Sequence, residues 1–168
     1  MNTKVPPHLL ETPPELQPDL PRPTPGREEW TIFLVDDDYD DVQLALRILK
    51  QSPRVHKIVC INDGISLFSE LDSHQFYADD GIRRRGLILL DINMPGLDGI
   101  ALLEQIRSNP FTQSIPIVMI TGDSEQRKVH KSYMLNANAY ISKPFTEDHL
   151  ENLHAVFDKG TGWNESSH

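Results

Sequence analysis

Short apolar runs alternate with amphipathic ones along most of the chain. TIFLV (31–35), KIVCI (57–61), LILL (87–90), IPIVMI (115–120) and AYIS (139–142) are rich in β-branched residues and almost wholly apolar. That texture predicts parallel strands covered on both faces. Between them, DVQLALRILK (41–50) sets Val42, Leu44, Ala45, Leu46, Ile48 and Leu49 at helical spacing. GISLFSELD (64–72), DGIALLEQIR (98–107), SEQRKVHKSYML (124–135) and TEDHLENLHAVF (146–157) read as further helices. The punctuation agrees. Asp38 and Thr146 stand at N-cap positions, and Asp40 and Asp41 suit the positive first turn of a helix. Ser52-Pro53 and Asn109-Pro110 stop helices, and Asn136 falls where a left-handed C-cap is expected. The alternation predicts an α/β fold: a doubly wound, five-stranded parallel sheet with helices on both faces.

In such a sheet, ligands bind beyond the carboxyl ends of the strands. The residues standing there are polar: Asp36 and Asp37 after the first strand, Asp91 after the third, Thr121 after the fourth and Lys143 after the fifth. Each has a bland reading by itself, as a helix-capping acid, a turn residue, an N-cap or a solvated lysine. All of them converging on one edge of the sheet is hard to ascribe to chance. Three close carboxylates repel one another and call for a cation. Oxygen donors without histidine or cysteine select a hard metal, and Mg²⁺ fits. A carboxylate beside such a metal can attack a phosphoryl group, while a lysine and a threonine hydroxyl neutralise its oxygens.

Composition narrows the class. The chain has 168 residues, 38% hydrophobic and 24% charged, with a formal net charge of −9. That balance suits one soluble domain plus tails and argues against a nucleic-acid footprint. Eight of the 13 prolines precede residue 26, so residues 1–28 are expected to be a Pro-rich disordered tail, 29–160 the folded domain, and 161–168 a C-terminal tail. No apolar stretch is long enough for a membrane span and the N-terminus lacks a secretory signal, so a cytoplasmic protein without membrane contact is expected. The single cysteine, Cys60, excludes an internal disulfide and reads as a small buried hydrophobe. The seven histidines show no metal-ligand spacing; His149 and His154 lie five apart on the last helix.

FLVDDD (33–38), LLDINMPGLDG (89–99), VMITGD (118–123) and AYISKPF (139–145) together resemble the receiver domain of two-component response regulators, over about 130 residues from Trp30 to Lys159. The resemblance implies a flavodoxin-like strand order, 2-1-3-4-5. It implies that Asp91 accepts a phosphoryl group, that Asp36, Asp37, Asp91 and the backbone carbonyl of Asn93 hold Mg²⁺, and that Thr121 and Lys143 contact the phosphoryl oxygens. It further implies that Tyr140 changes rotamer with Thr121, that Asn93 and Asp123 tune dephosphorylation toward a short-lived phosphoryl group, and that the Lys143-Pro144 bond is cis.

The implied donor is a sensor histidine kinase. VDDDYDDVQLALRIL and the long loop before the third strand resemble the small regulators that partner phytochrome-type kinases, some of which form homodimers. The implied readout surface toward a downstream protein is residues 122–157. Nine residues, GTGWNESSH, follow the last helix, so signalling by protein contact is expected rather than through an output domain. Rival readings are a relay intermediate that passes its phosphoryl to a histidine phosphotransfer protein, a phosphorylation-independent interaction module, and a haloacid dehalogenase-type phosphatase. The last needs a second Asp two residues beyond the nucleophile, where this chain has Asn93. Arg83, Arg84 and Arg85 read as a solvated loop, with docking of an acidic partner as the alternative.

Overall fold

The computed structural model describes residues 28–73, 84–122 and 135–159. The expected tails apart from Glu28, residues 124–134 of the predicted helix, Asp123 and Arg83 lie outside the described residues. The described elements are β1 (Glu29–Val35), α1 (Tyr39–Leu49), β2 (Val55–Ile61), α2 (Gly64–Ser73), β3 (Arg84–Asp91), β4 (Asn93–Met94), β5 (Leu97–Asp98), α3 (Gly99–Ser108), β6 (Ile117–Thr121), β7 (Ala139–Ser142) and a C-terminal helix (Glu147–Lys159). Five of the strands form one parallel sheet in the order β2-β1-β3-β6-β7. Counting sheet strands alone, that is the expected 2-1-3-4-5.

Alternation along the strands divides the core into two layers. Ile32, Leu34, Leu87 and Leu89 face one side, where Ala45, Ile48 and Leu49 of α1 and Leu150, Leu153 and Phe157 of the C-terminal helix cover them. Phe33, Val35, Ile88 and Leu90 face the other, against Leu67 and Leu71 of α2 and Leu102, Leu103 and Ile106 of α3. β1 and β3 are central and buried on both faces, which is why they read as unbroken apolar runs. β2 is an edge strand, and its pattern of exposure corrects one expectation: Cys60 is exposed rather than buried. No helix among the described residues is long and apolar enough to cross a membrane.

The start of α1 behaves as its sequence dictates. Asp38 caps α1, its Oδ1 accepting from the Asp40 and Asp41 amides at 3.0 and 3.1 Å. At the C-terminal helix, Thr146 precedes the first turn and its amide donates to His149 Nδ1 at 3.0 Å, so His149 serves that helix start. Asn136 is left-handed, φ 61°, as expected, and the Lys143-Pro144 bond is cis. Near β7, Arg107 of α3 donates to the carbonyls of Gln113, Ile115 and Asn136 and to Asn138 Oδ1, tying the loop before β6 to the loop before β7.

The start of β3 departs from expectation. Arg84 and Arg85 lie in the strand, beside Glu29 and Trp30 of β1. Arg85 pairs with Glu28 at 2.7 Å and lies over the Trp30 ring, 5.8 Å from its centroid. Arg85 is therefore a structural residue closing the lower end of the sheet, not part of a solvated loop.

Gly99 opens α3 where that helix meets the end of β3. A Cβ there would run into the backbone carbonyl of Asp91 and the Cα of Ile92, and the Gly99 amide donates to the Ile92 carbonyl at 3.0 Å. Helix propensity favours alanine over glycine by about 1 kcal/mol; here the clash is with backbone and reverses the sign. Gly99→Ala is expected to cost about 1–3 kcal/mol in a urea melt and to disturb the backbone that carries Asp91.

Candidate functional site

Sheet register builds the site. Val35 pairs with Leu90, so Asp36 and Asp91 leave adjacent central strands at the same level. Asp91 is level with Ile120, one residue before Thr121. Thr121 pairs with Ser142, so Lys143 emerges one step further on, its amide bonded to the Thr121 carbonyl at 2.8 Å. A hairpin of β4 and β5 follows Asp91 and turns at Pro95-Gly96, where Gly96 takes a positive φ of 78° that a side chain would resist.

The Lys143 ammonium is the centre of the cluster. Its Nζ lies 2.7 Å from Asp41 Oδ2, 3.0 Å from Asp36 Oδ2 and 3.3 Å from Asp91 Oδ2. The other oxygen of Asp36 accepts from the Asp38 amide at 2.9 Å, and Asp91 Oδ1 accepts from the Asn93 amide at 3.2 Å. Both carboxyl groups are thereby fixed at both oxygens. Asp36 and Asp91 are buried while Asp37 is exposed, and carboxylate oxygens of the three lie within 4.8 Å of one another. Thr121 is buried and its hydroxyl donates to the Gly122 carbonyl at 3.1 Å. Tyr140 is half-buried against the α2/α3 layer.

Electrostatics follow from this packing. Burial, then the neighbouring Asp36 charge, push the Asp91 carboxyl up to about 6, against the opposing pull of Lys143 and the Asn93 amide. For Lys143, burial alone favours the neutral amine. Hydrogen bonds to Asp41 and Asp36, with the charges of Asp36 and Asp91, outweigh it and hold the ammonium above the ordinary lysine value. Lys143 is thus firmly charged. The three-carboxylate donor set, all oxygen, fits a hard divalent cation.

The sequence profile of the response regulator receiver domain matches residues 32–155. The chain belongs to that family. Among its relatives is response regulator Rcp1 of Synechocystis sp., 35% identical over 112 residues that span 67% of this chain and 75% of Rcp1. The Mn²⁺-bound form of Rcp1 superposes with a TM-score of 0.58 at 29% identity, covering 81% of this chain and 96% of that one. The bacteriophytochrome response regulator RtBRR is 32% identical with a TM-score of 0.62, covering 82% of each chain. The phosphorylated cyanobacterial phytochrome response regulator RcpA is 30% identical, TM-score 0.60, covering 78% of this chain and 92% of that one.

The structure therefore brings together Asp36, Asp37, Asp91 and Lys143, with Asn93 and Thr121 at their edges. Two participants escape a reading of the sequence by strand ends. Asp41 was assigned to the helix terminus, yet it makes the shortest contact with Lys143. The signal was present: Asp41 falls in line with Ala45 and Ile48 on the buried stripe of α1, a position where a carboxylate needs a partner. Gly99 reads in sequence only as part of the predicted helix at 98–107.

Proposed function

We propose that this receiver takes a phosphoryl group from the phosphohistidine of a sensor kinase onto Asp91 and signals through protein contact. The observation that carries the proposal is a buried carboxylate, Asp91, held at one oxygen by a backbone amide and faced at the other by a fully charged lysine. An oxygen of Asp91 attacks phosphorus. The P–N bond breaks, and its electron pair stays on the imidazole nitrogen. The product is an acyl phosphate, which water later hydrolyses. Lys143 supplies positive charge to the phosphoryl oxygens in flight, and Thr121 supplies a hydroxyl donor once it leaves the Gly122 carbonyl.

Asp36, Asp37 and Asp91 are the residues that would hold Mg²⁺, with the Asn93 carbonyl as a further oxygen. The ion would supply neutralising charge and a template for the phosphoryl oxygens. A phytochrome-type histidine kinase is the proposed donor. The likeness to RtBRR and RcpA, whose names connect them with phytochromes, supports it. Drawing Thr121 toward a new charge on Asp91 leaves space beside Tyr140, which makes the β6–β7 side the proposed readout surface.

Intact mass after incubation with acetyl phosphate tests the proposal. A single phosphoryl adduct is expected in wild type, dependent on Mg²⁺ and absent from Asp91→Asn. An adduct of equal yield in the variant or in EDTA would count against it.

A further inference from the structure

The geometry points to Asp41 as the resting-state anchor of Lys143, a positioning residue that competes with a phosphoryl group for the ammonium. The inference rests on the reading of Asp91 as acceptor and deepens it.

An ammonium has three N–H donors. In this site three carboxylates claim Lys143, at 2.7 Å from Asp41, 3.0 Å from Asp36 and 3.3 Å from Asp91. A phosphoryl oxygen on Asp91 can take over the donor that faces Asp91 Oδ2, and it must then draw the ammonium against the hold of Asp36 and Asp41. The side chain of Asp36 is 2% exposed, so its oxygen can be satisfied only by the lysine or by a bound cation. Asp41 is 35% exposed and stands at the mouth of the site, so water can replace the lysine there.

The surroundings support the assignment. Lys143, Asp41 and Asp36 line a small cavity together with Leu34, Ala45, Ile120 and Phe145. The apolar part of that lining lowers the local dielectric around the pair and strengthens its attraction. Asp41 itself is held by the Asp38 cap through its amide. It is not among the carboxylates grouped for a divalent cation. Its work is therefore on the lysine. Held by Asp41 at 2.7 Å, Lys143 makes its longest contact with Asp91, at 3.3 Å, which lowers its competition with a cation at that oxygen. Without Asp41, the ammonium settles there. Asp41→Asn should therefore move two affinities in opposite directions: phosphoryl analogues bind more tightly, and free Mg²⁺ binds more weakly.

The test compares wild type with Asp41→Asn, Asp41→Glu and Asp40→Asn. Asp40 lies next to Asp41 and carries the same charge, but it is exposed, so it controls for charge alone. Beryllofluoride binding is followed by ¹⁹F NMR at saturating Mg²⁺, Mg²⁺ binding by calorimetry without beryllofluoride, and Lys143 ammonium proton exchange by ¹⁵N NMR in metal-free protein. Asp41→Asn is expected to bind beryllofluoride about fivefold more tightly, to bind Mg²⁺ about fivefold more weakly, and to exchange its Lys143 protons faster. Asp41→Glu should restore most of each change, and Asp40→Asn should shift none by as much as about twofold. Equal effects from Asp40→Asn and Asp41→Asn would reduce the anchor to general charge and overturn it. Unchanged Lys143 exchange in Asp41→Asn overturns it as well, whatever the phosphoryl chemistry. Failure of wild type to bind beryllofluoride at all would instead overturn the reading of Asp91.

Discussion

Lys143→Ala is expected to slow phosphoryl transfer from acetyl phosphate by about 10²–10³-fold, the usual loss when one preorganised charge is removed from a transferring group. The same change acts on the fold. Asp36, Asp41 and Asp91 all lean on this one ammonium, and two of the three are buried. Removing the cation leaves buried carboxylates facing one another. In Mg²⁺-free buffer, Lys143→Ala should therefore lose about 2–4 kcal/mol of stability in a urea melt. Saturating Mg²⁺ should return much of that loss, because binding to the folded state alone is stabilising. Adding Asp91→Asn to Lys143→Ala should also relieve part of it, because the two residues are in contact and their effects are not additive. A Lys143→Ala protein that is as stable as wild type in EDTA would show that the lysine does not balance these charges.

The second large effect has the opposite sign. Asp91→Asn should stabilise the metal-free protein. The Asp91 carboxyl titrates near 6 in the folded protein, chiefly through burial, against 3.8 for an ordinary aspartate. Between those values the folded state binds more protons than the unfolded one, so stability falls as pH rises, and above about pH 6 the whole penalty is present. A shift of this size corresponds to at most about 3 kcal/mol. Urea melts in EDTA should find Asp91→Asn about 1–3 kcal/mol more stable than wild type at pH 7.5. The gap should narrow through pH 6 and close near pH 4, where wild-type Asp91 is already neutral. A wild type at least as stable as the variant at pH 7.5 would contradict the placement of a strained charge at the end of β3. A site that costs stability in order to hold a reactive carboxylate is a common trade between function and fold.

The parts of the molecule that were legible beforehand share a physical reason. β1, β3 and β6 are buried on both faces, so their residues must be apolar, and the first polar residue after each run marks where the chain leaves the core. That is why Asp36, Asp91 and Thr121 stand out by position in the sequence. The other ends of the strands were not legible. β1 starts at Glu29 and β3 at Arg84, two and three residues before their apolar runs. Arg85 and Glu28 satisfy each other there, and a charge satisfied by a distant partner looks in sequence like a solvated one. Cys60 was misplaced because an edge strand reads as apolar as a central one. Asp41 was missed for a related reason. An acid in the first turn of a helix has a sufficient local explanation, and nothing local reveals that Lys143, 102 residues away, lies within 2.7 Å. Gly99 has no periodic signature, because its importance comes from the backbone of another element.

The central claim is that Asp91, among four neighbouring aspartates, receives the phosphoryl group. Acyl phosphates are reduced by borohydride, which converts the modified aspartate to homoserine. Treating the protein with acetyl phosphate and Mg²⁺, reducing it and sequencing its peptides by tandem mass spectrometry reads the acceptor directly. The account predicts homoserine at position 91 and at none of positions 36, 37 and 41. Reduction at any of those three, or an adduct that survives borohydride unchanged, would contradict it.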